Sequence, residues 1–229
     1  MFEKSVEELT ELGAQITTAE IAQQPELWRD TLNIYRENKE AIEAFLAEAR
    51  AMGEGRLSVV FTGAGTSDYV GDTCAPYLRH AGDTVLYDFK PIATTDIVSA
   101  PRDFLRAEDP TLVVSFARSG NSPESLAAVA VAKELVHNVK FLNITCAPEG
   151  KLAVESADDP NALTLLIPRA NDKGFAMTGS YSCMTLLSTL IFDTASDEQK
   201  AAWVEAAAVM GENVVASEEE VAAFLSGDY

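Results

Sequence analysis

The sequence has few of the residues that build metal sites or disulfide frameworks. Its 229 residues include 3 cysteines and 2 histidines. Cys74, Cys146 and Cys183 are widely spaced, form no CxxC pair and have no histidine nearby, which argues against both a disulfide framework and a zinc site. We therefore expect no metal, and we interpret the three cysteines as small buried apolar residues.

Basic residues and long apolar runs are also scarce. The chain has 17 lysines and arginines against 36 aspartates and glutamates, a net charge of −19, which opposes binding to nucleic acid. No stretch approaches the ~20 apolar residues that a membrane span needs. The N-terminus "MFEKSVEELTELG" lacks the basic start and apolar stretch of a secretory signal. We expect a cytoplasmic globular protein with no membrane partner.

Two common nucleotide-binding motifs are missing. No GxxxxGK[ST] string occurs, which excludes a P-loop. The stretch "GAGTSD" has Gly63 and Gly65, but Asp68 takes the place of the third glycine of a GxGxxG motif. A dinucleotide site is therefore disfavoured, and we expect no cofactor.

The sequence does contain short apolar runs that alternate with helical segments. Five runs are plausible strands, namely "LSVVFT", "DTVLYDF", "TLVVSFA", "VKFLNIT" and "NALTLLIP". Helical patterns lie between them at about residues 67–80, 95–98, 123–137 and 151–156. Continuous apolar strands that alternate with helices indicate a parallel sheet covered on both faces. We predict an α/β fold with a doubly wound five-stranded parallel sheet.

Helical extensions flank this core at both ends. "PELWRDTLNIYRENKEAIEAFLAEAR" has apolar residues at helical spacing and predicts one long helix from Pro25 to about residue 50, with a shorter helix before it. Residues 197–226 form an acidic helical stretch, with Ser217 as a candidate cap. The predicted organisation is N-terminal helices over 1–56, a core domain over 57–195 and a C-terminal helix over 196–229. That last segment is either a solvated helix or a connector to a further domain.

The turn after the third strand, "ARSGNSPES", holds more polar residues than a chain reversal needs. Ser122 is placed as a helix N-cap and Pro123 as the first helical residue. The hydroxyl and amide groups of the turn belong to Ser119, Gly120, Asn121, Ser122 and Ser125. Backbone N–H groups and the helix dipole favour a phosphate here, and Arg118 is placed for a charge-assisted contact. The alternative is that these residues only cap and turn.

The turn after the first strand, "VVFTGAGTSDYVG", has a similar composition. Gly63 and Gly65 permit a tight bend and close backbone approach, and Thr66 or Ser67 is expected to cap the next helix. Ligands of open parallel sheets bind beyond the carboxyl ends of the strands. We therefore expect both turns to line a site for a small phosphorylated metabolite.

These turns resemble the paired signatures of the SIS (sugar isomerase) domain family, whose flavodoxin-like domains bind phosphosugars. The stretches "AEIAQQPELW", "ATTDIVS" and "KGFAMTGSYSCM" are similar to the amino-sugar branch of that family, usually called AgaS or tagatose-6-phosphate ketose/aldose isomerase. The resemblance covers about residues 18–195. Together, the two turns and the resemblance give these candidate substrate-binding residues: Gly65, Thr66, Ser67, Arg118, Ser119, Gly120, Asn121, Ser122, Phe175, Ala176 and Met177.

The chain also departs from the family pattern. In the related isomerase domain of glucosamine-6-phosphate synthase, a phosphate-binding serine stands at the position of Ala117, so the resemblance implies a larger share for Arg118. Family members usually have two SIS domains, and the glutamate and histidine assigned as acid and base lie in the second. We expect this chain to be the N-terminal half, or a single-domain relative whose site forms between subunits. The catalytic base is unassigned.

The resemblance implies an isomerase or deaminase that acts on a hexose phosphate or amino-hexose phosphate. Such chemistry moves a proton between C1 and C2 with a positioned acid/base rather than a metal. The alternative is a sensing module that binds the same phosphosugars without catalysis. Apolar stripes on the terminal helices favour a homodimer or higher homo-oligomer.

Overall fold

A five-stranded parallel sheet lies between two layers of helices in the computed structural model, which describes residues 1–227. The strands are β1 (Leu57–Gly63), β2 (Tyr87–Pro91), β3 (Thr111–Ala117), β4 (Val139–Thr145) and β5 (Ala162–Leu166). Their order across the sheet is β2-β1-β3-β4-β5, and every neighbouring pair is parallel. This is the strand order of flavodoxin-like doubly wound folds, so the predicted fold class is confirmed.

The helices cover both faces of the sheet. They are α1 (Val6–Glu11), α2 (Gln15–Ala22), α3 (Gln24–Glu37), α4 (Lys39–Arg50), α5 (Asp68–Ala81), α6 (Thr94–Ser99), α7 (Pro101–Phe104), α8 (Pro123–Leu135), α9 (Lys151–Ser156), α10 (Thr178–Phe192), α11 (Asp197–Ala216) and α12 (Glu218–Leu225). Buried residues of α3, α4, α5, α10 and α11 form one hydrophobic core, and those of α6 and α8 form the other. None of the helices in residues 1–227 has the length and apolar character to cross a bilayer.

The strands are rich in apolar residues because both faces of the sheet are covered. In β1, Phe61 belongs to the core with α5 and α10, whereas Val60 belongs to the core with α8. The Phe61 ring lies 5.8 Å from the ring of Phe116 and 5.6 Å from that of Phe192, centroid to centroid. Burial of each such side chain contributes ~1.5–3 kcal/mol. The well-packed ends of β1 and β3 therefore fix the positions of the turns that follow them.

The prediction of one long helix from Pro25 is wrong, because α3 and α4 are separate helices that meet at Asn38. The Asn38 side-chain Nδ2 donates to the carbonyl of Ile34 at 2.8 Å, and the same carbonyl accepts from the Asn38 N–H at 3.1 Å. This bond between a side chain and the nearby backbone competes with the regular helical bonds. Two short helices, α1 and α2, precede α3 instead of the single one predicted.

Two other boundaries also differ from the predictions. The strand expected over residues 83–89 runs over Tyr87–Pro91, because the Asp83 carboxylate accepts from the N–H groups of Val85 and Leu86, both at 3.0 Å, and forms a turn. The helical stretch 197–226 is divided at Ser217, whose hydroxyl donates to the Val214 carbonyl and does not cap α12. Residues 228 and 229 of the predicted C-terminal segment lie outside the described residues.

Candidate functional site

A cavity of about 290 Å³ lies beyond the carboxyl ends of β1 and β3. The chain leaves β1 toward the layer with α5 and leaves β3 toward the opposite layer with α8. Neighbouring strands whose connections diverge in this way leave a crevice, which is the usual ligand site of open parallel sheets. The lining residues are Ala64, Gly65, Thr66, Ser67, Phe116, Ala117, Arg118, Ser119, Gly120, Ser122, Ser125, Phe175, Met177, Ser180 and Met184.

The first turn of the site, residues 63–67, is shaped by its glycines. A Cβ at Gly63 would overlap the backbone of Ser67, and Gly65 has a φ of +59°, which favours glycine. The Thr94 hydroxyl, from the stretch "ATTDIVS", donates to the Gly63 carbonyl at 2.9 Å and holds the turn in place. The turn is thus fixed from behind by its own tight packing and by α6.

The predicted capping of α5 by Thr66 or Ser67 is wrong. Ser67 occupies the N-cap position, but its φ of −69° and ψ of −24° are already helical, and no side chain bonds to the helix N–H groups. A 3-10 turn over Gly65–Ser67 continues directly into α5 and removes the need for a cap. Within residues 1–227 both hydroxyls lack a hydrogen-bond partner, and both line the cavity, so they are free to bind a ligand.

The second turn of the site, residues 118–122, enters α8 as predicted. Ser122 is the N-cap residue and Pro123 the first helical residue. The Ser122 hydroxyl pairs with the Ser125 hydroxyl at 2.7 Å and makes no side-chain capping bond to the helix. Both hydroxyls line the cavity. Each hydroxyl oxygen has two lone pairs and one proton, so the pair retains a proton for a ligand.

The backbone of the second turn directs N–H groups away from the protein. A Cβ at Gly150 would overlap the Ser119 carbonyl oxygen, so that carbonyl faces Gly150. The N–H of Gly120 belongs to the same trans peptide and therefore points the opposite way. In the described part of the chain, neither the Gly120 N–H nor the Ser122 N–H has a partner. These donors and the start of α8 suit an anion.

Among the described residues that line the cavity, Arg118 is the one with a charged side chain. Its Nη1 donates to the main-chain carbonyl of Asp172 at 2.8 Å. Its Nε is buried and pairs with no atom of residues 1–227. A guanidinium group has five N–H donors in a planar fork, so most of its capacity remains for a ligand.

The loop over residues 171–177 forms a further part of the cavity wall and contacts the second turn, where Arg118 donates to the Asp172 carbonyl. Phe175 and Met177 line the cavity from this loop, and Phe175 is fully exposed. Met177 has a φ of +55°, a left-handed conformation that is costly for a residue with a Cβ. Asp172 holds the end of the loop, because its carboxylate accepts from the N–H groups of Gly179 (3.2 Å) and Ser180 (2.7 Å) at the start of α10.

The electrostatics of the two turns differ. Burial, and then the negative charges of Asp72 and Asp96, raise the pKa of Asp68, the first residue of α5. This acidic group works against an anion at the start of α5, whereas Arg118 and the start of α8 attract one. The second turn is therefore the better end of the cavity for a phosphate. No group of three or more His, Cys, Asp or Glu side chains within residues 1–227 is arranged to hold a metal ion.

The family description "SIS domain" matches residues 55–193, which span the sheet and the whole cavity. This chain belongs to the SIS domain family. The turns after β1 and β3 carry the sequence resemblance to this family, and both lie within the matched residues.

Relatives of this SIS domain include enzymes of sugar-phosphate metabolism. The D-galactosamine-6-phosphate deaminase AgaS of Shewanella sp. (strain ANA-3) is 43% identical over 189 residues, which are 82% of this chain and 48% of the relative. A crystal structure from Clostridium novyi NT is 40% identical, with a TM-score of 0.89 over 96% of this chain and 55% of the other. The tagatose-6-phosphate ketose/aldose isomerase of Escherichia coli is 38% identical, with a TM-score of 0.72 over 77% and 47%. The chain spans about half the length of these relatives.

The cavity of this SIS domain collects most of the residues predicted from sequence. Gly65, Thr66, Ser67, Arg118, Ser119, Gly120, Ser122, Phe175 and Met177 all line it. Asn121 does not, because its Oδ1 accepts from the Lys151 N–H at 3.1 Å at the start of α9. Ala176 is exposed beside the cavity and does not line it.

The sequence predictions missed other lining residues, among them Ser180 and Met184 of α10. The stretch "KGFAMTGSYSCM" contains both residues, but the family resemblance gives site residues only in its first half. Residues 180 and 184 are four positions apart, about one helical turn, and this spacing places them on the same face of a helix. The spacing is the signal in the sequence that could have identified them.

Proposed function

We propose that this SIS domain binds the phosphate group of a phosphorylated hexose or amino-hexose at the second turn. The observation that carries the proposal is the group of donors around one cavity: the N–H groups of Gly120 and Ser122, the free hydroxyls of the first turn and the guanidinium of Arg118. Charge-assisted bonds to an anion are roughly twice as strong as neutral ones. The cavity volume of about 290 Å³ is close to the lower end of ordinary small-molecule sites.

We further propose that the parent protein is a ketose/aldose isomerase or a deaminase of that sugar. The names of the Shewanella and Escherichia coli relatives support this reaction class. A phosphate held at the second turn would place the other end of the sugar near loop 171–177, and fixed carbons can be presented to an acid/base for transfer of a proton between C1 and C2. In this arrangement Arg118, Ser119 and Ser122 bind the substrate, and Phe175 and Met177 enclose it.

The residues that transfer the proton are not assigned. Among the cavity-lining residues, all within the described range, there is no carboxylate, imidazole or amine. This observation favours a second candidate function, a domain that senses phosphosugars without catalysis. The two are separated by measuring turnover of galactosamine 6-phosphate and tagatose 6-phosphate with the purified chain. We expect binding with feeble turnover, and rapid turnover would show that a base has been overlooked.

The setting of the protein is part of the proposal. We propose a cytoplasmic protein with no nucleic-acid or membrane partner, in which residues 57–195 form the phosphosugar-binding domain and residues 1–56 and 196–229 form helical extensions. A homodimer or higher homo-oligomer is supported by exposed apolar side chains along α11, including Trp203, Met210 and Val214. Light scattering coupled to size-exclusion chromatography tests this part.

Titration calorimetry tests the binding proposal directly. We expect heat with galactosamine 6-phosphate and with inorganic phosphate, and none with unphosphorylated galactosamine at equal concentration. A folded chain, checked by circular dichroism, that gives no heat with any phosphorylated sugar would overturn the proposal. Equal binding of galactosamine and its phosphate would also overturn it, because it would remove the phosphate from recognition.

A further inference from the structure

The stretch "AEIAQQPELW" holds three polar side chains at four-residue spacing that contact the region around loop 171–177. The side-chain oxygen of Gln24 lies 2.9 Å from the Ser182 hydroxyl. That hydroxyl also accepts from the indole Nε1 of Trp28 at 3.0 Å. The remaining member of the series is Glu20, on α2. All three side chains therefore join the N-terminal helices to the loop and to α10.

Glu20 contacts the loop itself. Its Oε1 accepts from the N–H of Lys173 at 2.6 Å and from the N–H of Gly174 at 2.9 Å. A Cβ at Gly174 would lie 2.6 Å from Oε2, so the absence of a side chain there permits this close approach. Glu20 is 7% exposed, and its Oε2 is buried with no partner in residues 1–227. Burial of a carboxylate costs free energy unless hydrogen bonds compensate for it. The bonds to the two loop N–H groups are therefore the interaction that accounts for the buried position of Glu20.

The first half of the loop is held by two carboxylates, those of Asp172 and Glu20. Asp172, which is 2% exposed, anchors the loop to α10 through its carboxylate and to Arg118 through its carbonyl. Glu20 holds the next two residues, Lys173 and Gly174, to α2. Between the anchor at Gly174 and the start of α10 lie Phe175 and Met177, the two loop residues that line the cavity. Their positions depend on these anchors, because Phe175 itself is fully exposed.

We propose that Glu20 is a positioning residue that sets the sugar-side wall of the cavity through the backbone of loop 171–177. The inference rests on the proposed function, because it assigns Glu20 to recognition of the sugar and not of the phosphate. Glu20 does not line the cavity. It acts through Phe175 and Met177, whereas the backbone of the second turn is held by α9, where Asn121 Oδ1 accepts from the Lys151 N–H. Arg118 contacts the loop at the Asp172 carbonyl, and the Asp172 carboxylate is fixed to α10 without Glu20.

The test compares Glu20→Ala and Glu20→Gln with the control Glu11→Ala, which removes an exposed carboxylate from the neighbouring helix α1. Each variant is titrated with galactosamine 6-phosphate and with inorganic phosphate, and amide hydrogen exchange is followed in peptides that cover residues 171–178. For Glu20→Ala we expect an affinity for the phosphosugar about tenfold lower and faster loop exchange. Its affinity for inorganic phosphate should stay within about twofold, as expected for a site the change does not touch.

Glu20→Gln keeps an oxygen that can accept both loop amides, so we expect it to recover most of the phosphosugar affinity, and we expect the control to match the wild type. Equal losses for phosphate and phosphosugar in Glu20→Ala would overturn the positioning role, as would unchanged phosphosugar affinity despite faster loop exchange. Should Glu20→Ala not fold, Glu20→Asp, which is one methylene shorter, replaces it with the same expected results. A wild-type chain that binds neither probe overturns the proposed function and this role with it. If the wild type binds both probes and Glu20→Ala does not selectively lose affinity for the phosphosugar, only the role of Glu20 is overturned.

Discussion

Replacement of Arg118 by methionine gives the sharpest prediction about the cavity. Methionine retains an unbranched apolar chain but removes the guanidinium, which is the one charged group among the described lining residues. A hydrogen bond to a charged group contributes ~1.5–3 kcal/mol. At ~1.4 kcal/mol for each factor of ten, we expect affinity for inorganic phosphate and for galactosamine 6-phosphate to fall roughly 10- to 100-fold.

The change also removes the bond from Arg118 to the Asp172 carbonyl. This bond has a charged donor and so falls in the same range of ~1.5–3 kcal/mol, and we therefore also expect a fall in melting temperature. The matched control is Arg36→Met, which alters the net charge equally at an exposed residue of α3 that pairs with no carboxylate in residues 1–227. Calorimetric titrations of both variants at one ionic strength measure the effect, since phosphate contacts are sensitive to salt. If Arg118→Met and Arg36→Met bind phosphate equally well, the assignment of Arg118 to the anion is refuted.

Three further predictions concern the same turns and the core. Ser119→Ala should lower affinity for phosphorylated sugars roughly 2- to 10-fold in calorimetric titrations, and an unchanged value would place the hydroxyl outside the site. Gly150→Ala, although outside the cavity, should weaken phosphate binding because its Cβ would displace the Ser119 carbonyl; unaltered binding would mean that the turn does not depend on α9. The three thiols should resist iodoacetamide at neutral pH until the chain is unfolded, because burial raises the pKa of Cys74 and Cys183 to about 11 and raises that of Cys146 also. Mass spectrometry showing labelled native protein would contradict this burial.

The strands of this fold could be predicted because their environment is uniform. A parallel strand covered on both faces is rich in apolar residues, and every residue of β3 and all residues of β4 after Val139 are buried. The limits of β2 could not be predicted, because the Asp83 carboxylate accepts from the N–H groups of Val85 and Leu86 and turns the first half of the run out of the strand. The division at Asn38 similarly depends on one side-chain bond that helical periodicity does not report.

In the candidate site, too, the local features could be predicted from the sequence and the long-range contacts could not. The two turns are local features, and the geometry of Gly65 and the placement of Ser122 follow from residues that are adjacent in sequence. The roles of Asn121 and Glu20 depend on partners that are distant along the chain or on separate elements. Asn121 caps α9 instead of facing the cavity, and Glu20 reaches a loop more than 150 positions away. Contacts of this kind are set by the packing of helices and leave no periodic signal in the sequence.

The central claim is that a phosphate binds at the start of α8. A crystal structure of the chain grown with galactosamine 6-phosphate tests it most directly. We expect the phosphate within hydrogen-bonding distance of the Gly120 and Ser122 N–H groups and of the Arg118 guanidinium, with the sugar directed toward Phe175. Clear density for the phosphosugar at another surface, with the second turn unoccupied, would contradict the account.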